Sequence, residues 1–286
     1  MKVAITMELR KWIKSPYWKI SFLLGNIMCF LSFYYNVTAY HATLDLLSLK
    51  NIEDPLTRNA YPLFSNWVGG EGYSLGSILY FFAFPILVAS FFGWSYLEEK
   101  NKGYMKLLMA KEGRKRYLLS KFCAVFLTGG IAMCLPLLIN FWITAMFFPA
   151  FRPDIMNATI TGVFPNSFLS IVYYTHPIGY VLLYLLLDFL IGGSLAAFCL
   201  GMSSFLKWKW LAVLSPFCLC LVLNVLADFL FKATNFLRIQ ISPFYFARGV
   251  ETLVPTSGFV IVFFCLALLL FVYFAYYRKM RKCDVM

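Results

Sequence analysis

Few side chains in this chain of 286 residues could do chemistry, and they fall into two groups. The first lies inside apolar runs. Asp188 is the ionisable group placed there, where an acid is costly unless it faces protein or water, so it marks either a functional path or a helix–helix hydrogen bond. Gly192 and Ala196 follow it one and two turns later, beside Gly193, Ala197 and Gly201, a small-residue series suited to close helix packing. Asn26, Asn140 and Asn224 also fall at membrane depth, where they could line a substrate path or tie helices together. The second group is Glu98-Glu99-Lys100-Asn101-Lys102-Gly103, an acid pair closing an apolar run.

Neither group composes a catalytic centre. Nothing matches G-x-x-x-x-G-K-[ST], so the chain has no P-loop with which to hydrolyse ATP. A Ser/His/Asp triad needs three groups at one depth, and both histidines, His41 and His176, fall near the outer ends of apolar runs. The acid pair lacks the arginine that completes Glu-Glu-x-x-x-Arg in intramembrane glutamate peptidases. Of eight cysteines, Cys29, Cys123, Cys134, Cys199, Cys218, Cys220 and Cys265 sit in apolar runs and Cys283 in the tail, so no disulfide framework is expected. Cys218 and Cys220, two apart on a helix, point in different directions and make a poor metal pair. The expectation is a chain that is not an enzyme, with no catalytic residue, metal or cofactor of its own.

The elements that must position these groups follow from composition. The chain is 61% hydrophobic and 13% charged, with a mean hydropathy of +0.74. Soluble domains run near 45–50% apolar and about 25% charged, so most of this surface must face lipid. Charge-poor runs predict six membrane-spanning helices near 18–40, 74–97, 119–148, 178–206, 210–231 and 257–278. With the N-terminus inside, 19 lysines and arginines fall on the inner side and 6 on the outer, which predicts cytoplasmic N- and C-termini. The net charge of +12 is then a topology signal beside anionic membrane lipid, and no nucleic-acid partner is expected.

Residues 1–17 read as an amphipathic interfacial helix, with Met1, Ile5, Leu9, Trp12 and Ile13 on one side and Arg10, Lys11 and Lys14 opposite, before Pro16 turns the chain. This segment is not read as a cleavable signal. Pro85, Pro136 and Pro216 could kink the second, third and fifth spans. The outer segment 232–256 is semi-apolar, and its Ser242-Pro243 is a helix start that would dip a short helix into the outer leaflet. No repeat or low-complexity linker divides the chain, so residues 1–286 read as one domain.

The stretch between spans two and three carries the most information. Two acids close the second span, Gly103 punctuates, a short helix over Tyr104–Lys111 presents Tyr104, Leu107 and Leu108, Gly113 breaks it, and Arg114-Lys115-Arg116 opens the third span. This order resembles the permease subunits of ABC-2 type transporters, whose pattern reads approximately Glu-x-x-x-Gly-Thr before a Leu-rich turn. The match falls on Glu99 and Gly103, with Tyr104 where Thr or Ser is usual. It extends to the whole-chain order of interfacial helix, six spans and a Pro-containing outer segment before the last span.

The resemblance implies an all-α integral membrane permease of a bacterial plasma membrane, pairing with a second copy or a homologous permease. A separate ATP-binding subunit, holding ATP and magnesium, would dock on segment 97–118, with Glu98, Glu99, Gly103, Tyr104, Leu107 and Leu108 as its contacts. It also implies export, here of an amphipathic or hydrophobic substrate such as a toxic or antimicrobial peptide. A non-transporting scaffold or receptor-like subunit is the alternative, and an intramembrane hydrolase the third.

Overall fold

The computed structural model describes residues 2–49, 62–155, 158–165, 167–234, 240–250 and 255–282. Among them the chain is helical, without strands, and six helices are long and apolar enough to cross a membrane. That architecture is the architecture of a multi-pass integral membrane protein.

Helix α1 spans Lys2–Lys14, and the Ser15-Pro16 pair separates it from α2, Tyr17–Leu49. Helix α2 continues past the predicted end near residue 40, because nothing from His41 to Leu49 removes a backbone donor or requires an unusual φ. Helix α3, Leu75–Val88, opens on Ser74, whose Oγ accepts from Ser77 N at 3.1 Å. The expected continuous second span is instead interrupted: α3 passes into a π turn at Ala89–Gly93, four residues after Pro85, and then into α4, Ser95–Asn101.

Helix α5, Tyr104–Glu112, lies between Gly103 at φ +73° and Gly113 at φ +78°, left-handed conformations that glycine adopts without cost. Helix α6, Arg114–Ala145, starts directly after Gly113 rather than at the predicted 119, since the basic residues there are good helix formers. The remaining long helices are α7, Pro177–Met202, α8, Lys209–Thr234, and α9, Gly258–Lys282. A one-turn helix at Pro243–Phe246 has its proline in the first turn, as Ser242-Pro243 predicts. Of the outer segment 232–256, residues 235–239 and 251–254 lie outside the described residues.

Helices α3, α6 and α7 make the centre: 67% of the apolar window of α7 is buried, against 22% for α8 at the periphery. The α6–α7 seam is where the small residues are needed. A Cβ on Gly192 would stand 2.9 Å from the Gly129 carbonyl, and one on Gly129 would stand 2.3 Å from Ala196 Cβ. Gly130 fits Phe189 and Gly193 fits Phe126 in the same way. The predicted close packing of Gly192, Gly193 and Ala196 is therefore present, and backbones this near gain dispersion contacts that larger side chains would forbid.

Contacts bring α1, α4, the start of α6 and the second half of α9 to one end of the bundle. Phe271 of α9 meets Phe198 and Phe205 at ring distances of 5.0 and 6.4 Å, and Leu118 and Phe122 share a cavity with Leu269 and Val272. The opposite end is closed by residues 62–74 and 240–250. Trp67 is fully buried there, and Gly249 N donates to the Gly69 carbonyl at 2.8 Å.

Candidate functional site: a charged bracket under the helix pair α4–α5

Glu99 is placed by α4 so that it points inward. Its Oε1 lies 2.8 Å from Lys11 Nζ of α1 and 2.9 Å from Lys121 Nζ of α6, while Oε2 accepts from the Tyr117 hydroxyl. Glu8 completes the set, with Oε1 2.6 Å from Lys11 Nζ and Oε2 2.6 Å from Lys121 Nζ. Two carboxylates and two ammonium groups thus alternate in a ring that joins three separate helices, and Lys121 is wholly shielded from solvent. The ring rests on aromatic faces, Lys121 over Phe92 at 5.0 Å and Lys11 over Tyr104 at 5.9 Å.

Burial alone would raise the Glu99 pKa. The nearby Lys121 charge, the hydrogen bonds from Lys11 and Tyr117 and the Lys11 charge outweigh it, so the carboxyl lies below its ordinary value. Lys11 moves oppositely: burial works against its charge, but Glu8 and Glu99 hold it above the usual lysine value. Both shifts favour the ionised forms of Glu99 and Lys11 at neutral pH.

The expected docking residues divide on this frame. Glu99 is spent inside the ring. Glu98 sits at the surface, paired with Lys102 at 2.6 Å. Gly103 supplies the turn into α5. Tyr104 and Leu107 are exposed, Leu107 at 68%. Leu108 corrects the predicted face, since it packs against the core with Met105 and Met109. Helix α1 corrects the predicted wheel at two positions: Lys11 turns toward the protein with Glu8 and Ile13 is exposed, while Arg10 and Lys14 face outward as predicted. Leu9 and Trp12 of the predicted apolar side do pack against the core, and the buried ionic partners on α4 and α6 draw in Lys11 beside them.

Within the spans, Asp188 is 1% exposed, with Tyr80 and Cys134 as electrostatic neighbours and Oδ1 unpartnered. It faces protein, as expected, but in an enclosed junction of α3, α6 and α7 rather than along an open path. Asn140 ties segments together: its Nδ2 donates to the Cys29 carbonyl at 2.9 Å, and its Oδ1 accepts from Val68 N at 3.0 Å. Asn224 accepts from Ser242 Oγ at 2.8 Å, fastening α8 to the Pro243–Phe246 turn. Asn26 donates to the Phe22 carbonyl of its own helix at 2.8 Å and lines a shallow apolar cavity with Asn140.

Sequence reasoning missed Glu8, Lys121 and, at the other end, Glu71. Glu71 is buried and accepts from Ser32 Oγ at 2.5 Å, from Ser74 N at 2.9 Å, from Tyr73 N at 3.0 Å and from the Ser74 hydroxyl. The i, i+3 spacing of Glu8 and Lys11 was a visible signal for part of the ring; the 113-residue separation of Glu8 and Lys121 left none. The described residues thereby define an all-helical architecture with six membrane-length helices, bracketed at one end by buried ion pairs. Comparison with protein-family models, with curated proteins and with solved structures finds no match.

Proposed function

We propose that this chain is the transmembrane permease subunit of an ATP-driven exporter of the ABC-2 type, in a bacterial plasma membrane with both termini in the cytoplasm. The observation that carries the reading is the helix pair α4–α5, set between two membrane helices and bolted through Glu99 to α1 and α6. On this reading a separate ATP-binding subunit, which holds ATP and magnesium, docks on the outward surface of Glu98, Tyr104 and Leu107. Nucleotide can act on the membrane helices only if that surface is contacted differently in two nucleotide states. A push on α5 then travels through α4 and the ring into α1 and α6, because buried ion pairs resist separation far more than exposed ones.

Two copies, or this chain with a homologous permease, would enclose the path for an amphipathic or hydrophobic substrate such as a toxic peptide. The test is co-expression with ATP-binding subunits from the same organism. Expected are a complex whose stability changes with nucleotide, and ATPase activity in proteoliposomes that Leu107→Asp lowers at least about 10-fold, the effect of a lost interface anchor. Failure of any ATP-binding subunit to associate, or full coupling in Leu107→Asp, refutes the reading.

A further inference from the structure

Between the end of α1, the start of α2 and the helix pair α4–α5 lies a cleft of about 440 Å³. Lys11, Lys14 and Lys102 line it, opposite Glu98 and Glu99. The two glutamates are already engaged, by Lys11, Lys121 and Lys102. Lys14 has no carboxylate within ion-pair distance among the described residues. Neither has Lys209 of α8, whose ammonium lies over two rings of the cleft wall, 3.8 Å from the Tyr17 centroid and 3.3 Å from that of Trp94. Lys14 on the cleft lining and Lys209 over the rings of its wall are therefore two cations without a carboxylate partner among the described residues, and aromatic faces strip Lys209 of part of its water.

Its surroundings identify the level at which it sits. Trp208 and Trp210 project into the surroundings beside Lys209, and aromatic residues of this kind mark the headgroup region of a bilayer. Directly along α2 from the cleft, Ile20, Leu23 and Leu24 are exposed and apolar. A ligand matching all three features has a phosphate for Lys14 and Lys209 and hydrocarbon for the α2 face. We infer that the cleft between α1, α2 and α4 seats the headgroup of an anionic phospholipid, with Lys14 and Lys209 on its phosphate and its acyl chains along Ile20 and Leu24. The inference rests on the membrane-spanning architecture and not on the exporter reading.

The experiment uses the full chain, delipidated in neutral detergent and mixed with phosphatidylglycerol or phosphatidylcholine, with bound lipid counted by native mass spectrometry. The parent should prefer phosphatidylglycerol. Lys14→Gln with Lys209→Gln should lower that preference about 30-fold, at the usual strength of a lysine's attraction to anionic lipid. Lys209→Arg keeps charge and ring stacking and should retain it, which separates lost binding from a disturbed α8. Lys115→Gln with Arg116→Gln, at the same end but outside the cleft, should leave it unchanged. Equal preference in parent and Lys14→Gln/Lys209→Gln overturns the site, as does an equal loss in Lys115→Gln/Arg116→Gln, which would mean diffuse attraction. Glycerol phosphate displacing the lipid at equal concentration would also overturn it, by showing a seat for a soluble phosphate.

Discussion

Replacing Lys121 by methionine removes an ammonium group while keeping most of the stem's volume. In the parent, Lys121 Nζ sits 2.6 Å from Glu8 Oε2 and 2.9 Å from Glu99 Oε1 with no solvent contact. Two carboxylates are then balanced by Lys11 and Lys121; in Lys121→Met they share Lys11 alone, and one buried negative charge is left uncompensated. Breaking one side of a buried ion pair costs about 3–5 kcal/mol. That is a fall on the order of 10 °C in melting midpoint. Adding Glu99→Gln restores neutrality and should return about 2 kcal/mol, within the coupling range of groups in one network.

Acidification should rescue the single variant as well. An orphaned buried carboxyl has a raised pKa, so its destabilisation is present at neutral pH and shrinks as pH falls through that raised value. The assay is tryptophan-fluorescence melting of detergent-purified protein at neutral and mildly acidic pH. If Lys121→Met melts with the parent, or the double variant melts below the single one, the four groups do not act as one charge-balanced ring.

Other consequences can be checked in the same preparation. In the parent, Glu99 has a depressed pKa, so its contribution is fully present above the ordinary carboxylate value of 4.5 and is lost as pH falls through the folded value; a pH–stability profile should decline on that acid side. Gly192→Val pushes a side chain toward the Gly129 carbonyl and Met133 Cβ, each 2.9 Å from the first added carbon, and should cost about 3 kcal/mol in melting experiments. Gly179→Ala, whose added carbon has its nearest neighbour at 3.6 Å, should be stabilising by about 0.5–1 kcal/mol. Glu71→Gln turns an amide group toward four donors at the opposite end and should lower stability by about 2 kcal/mol, read by the same melts.

What the sequence made legible was whatever local periodicity or punctuation controls. The six long helices follow from apolar runs, the α6–α7 seam from small residues at helical spacing, and α5 from its two flanking glycines. The π turn was hidden because nothing in Ala89–Gly93 marks a change of helical pitch. The ring was hidden for a different reason. A charge read alone belongs on the wet face of a helix, and only a partner far along the chain can draw it inward. Lys11 was misplaced for that reason, turned toward Glu99, while Leu108 was misplaced because the short helix α5 does not announce which of its sides meets the bundle.

Helix α5 hangs between two glycines at positive φ, and a Cβ at either would meet nothing within 4 Å. Its neighbours α4 and α6 are pinned to each other by Glu99 and Lys121, and the nine residues Tyr104–Glu112 run between them. They are a cassette. Exchanging them for another nine-residue helix, with both glycines kept and the inward Met105, Leu108 and Met109 pattern preserved, would rewrite the outward-facing address of the chain while the bundle beneath stays as it is.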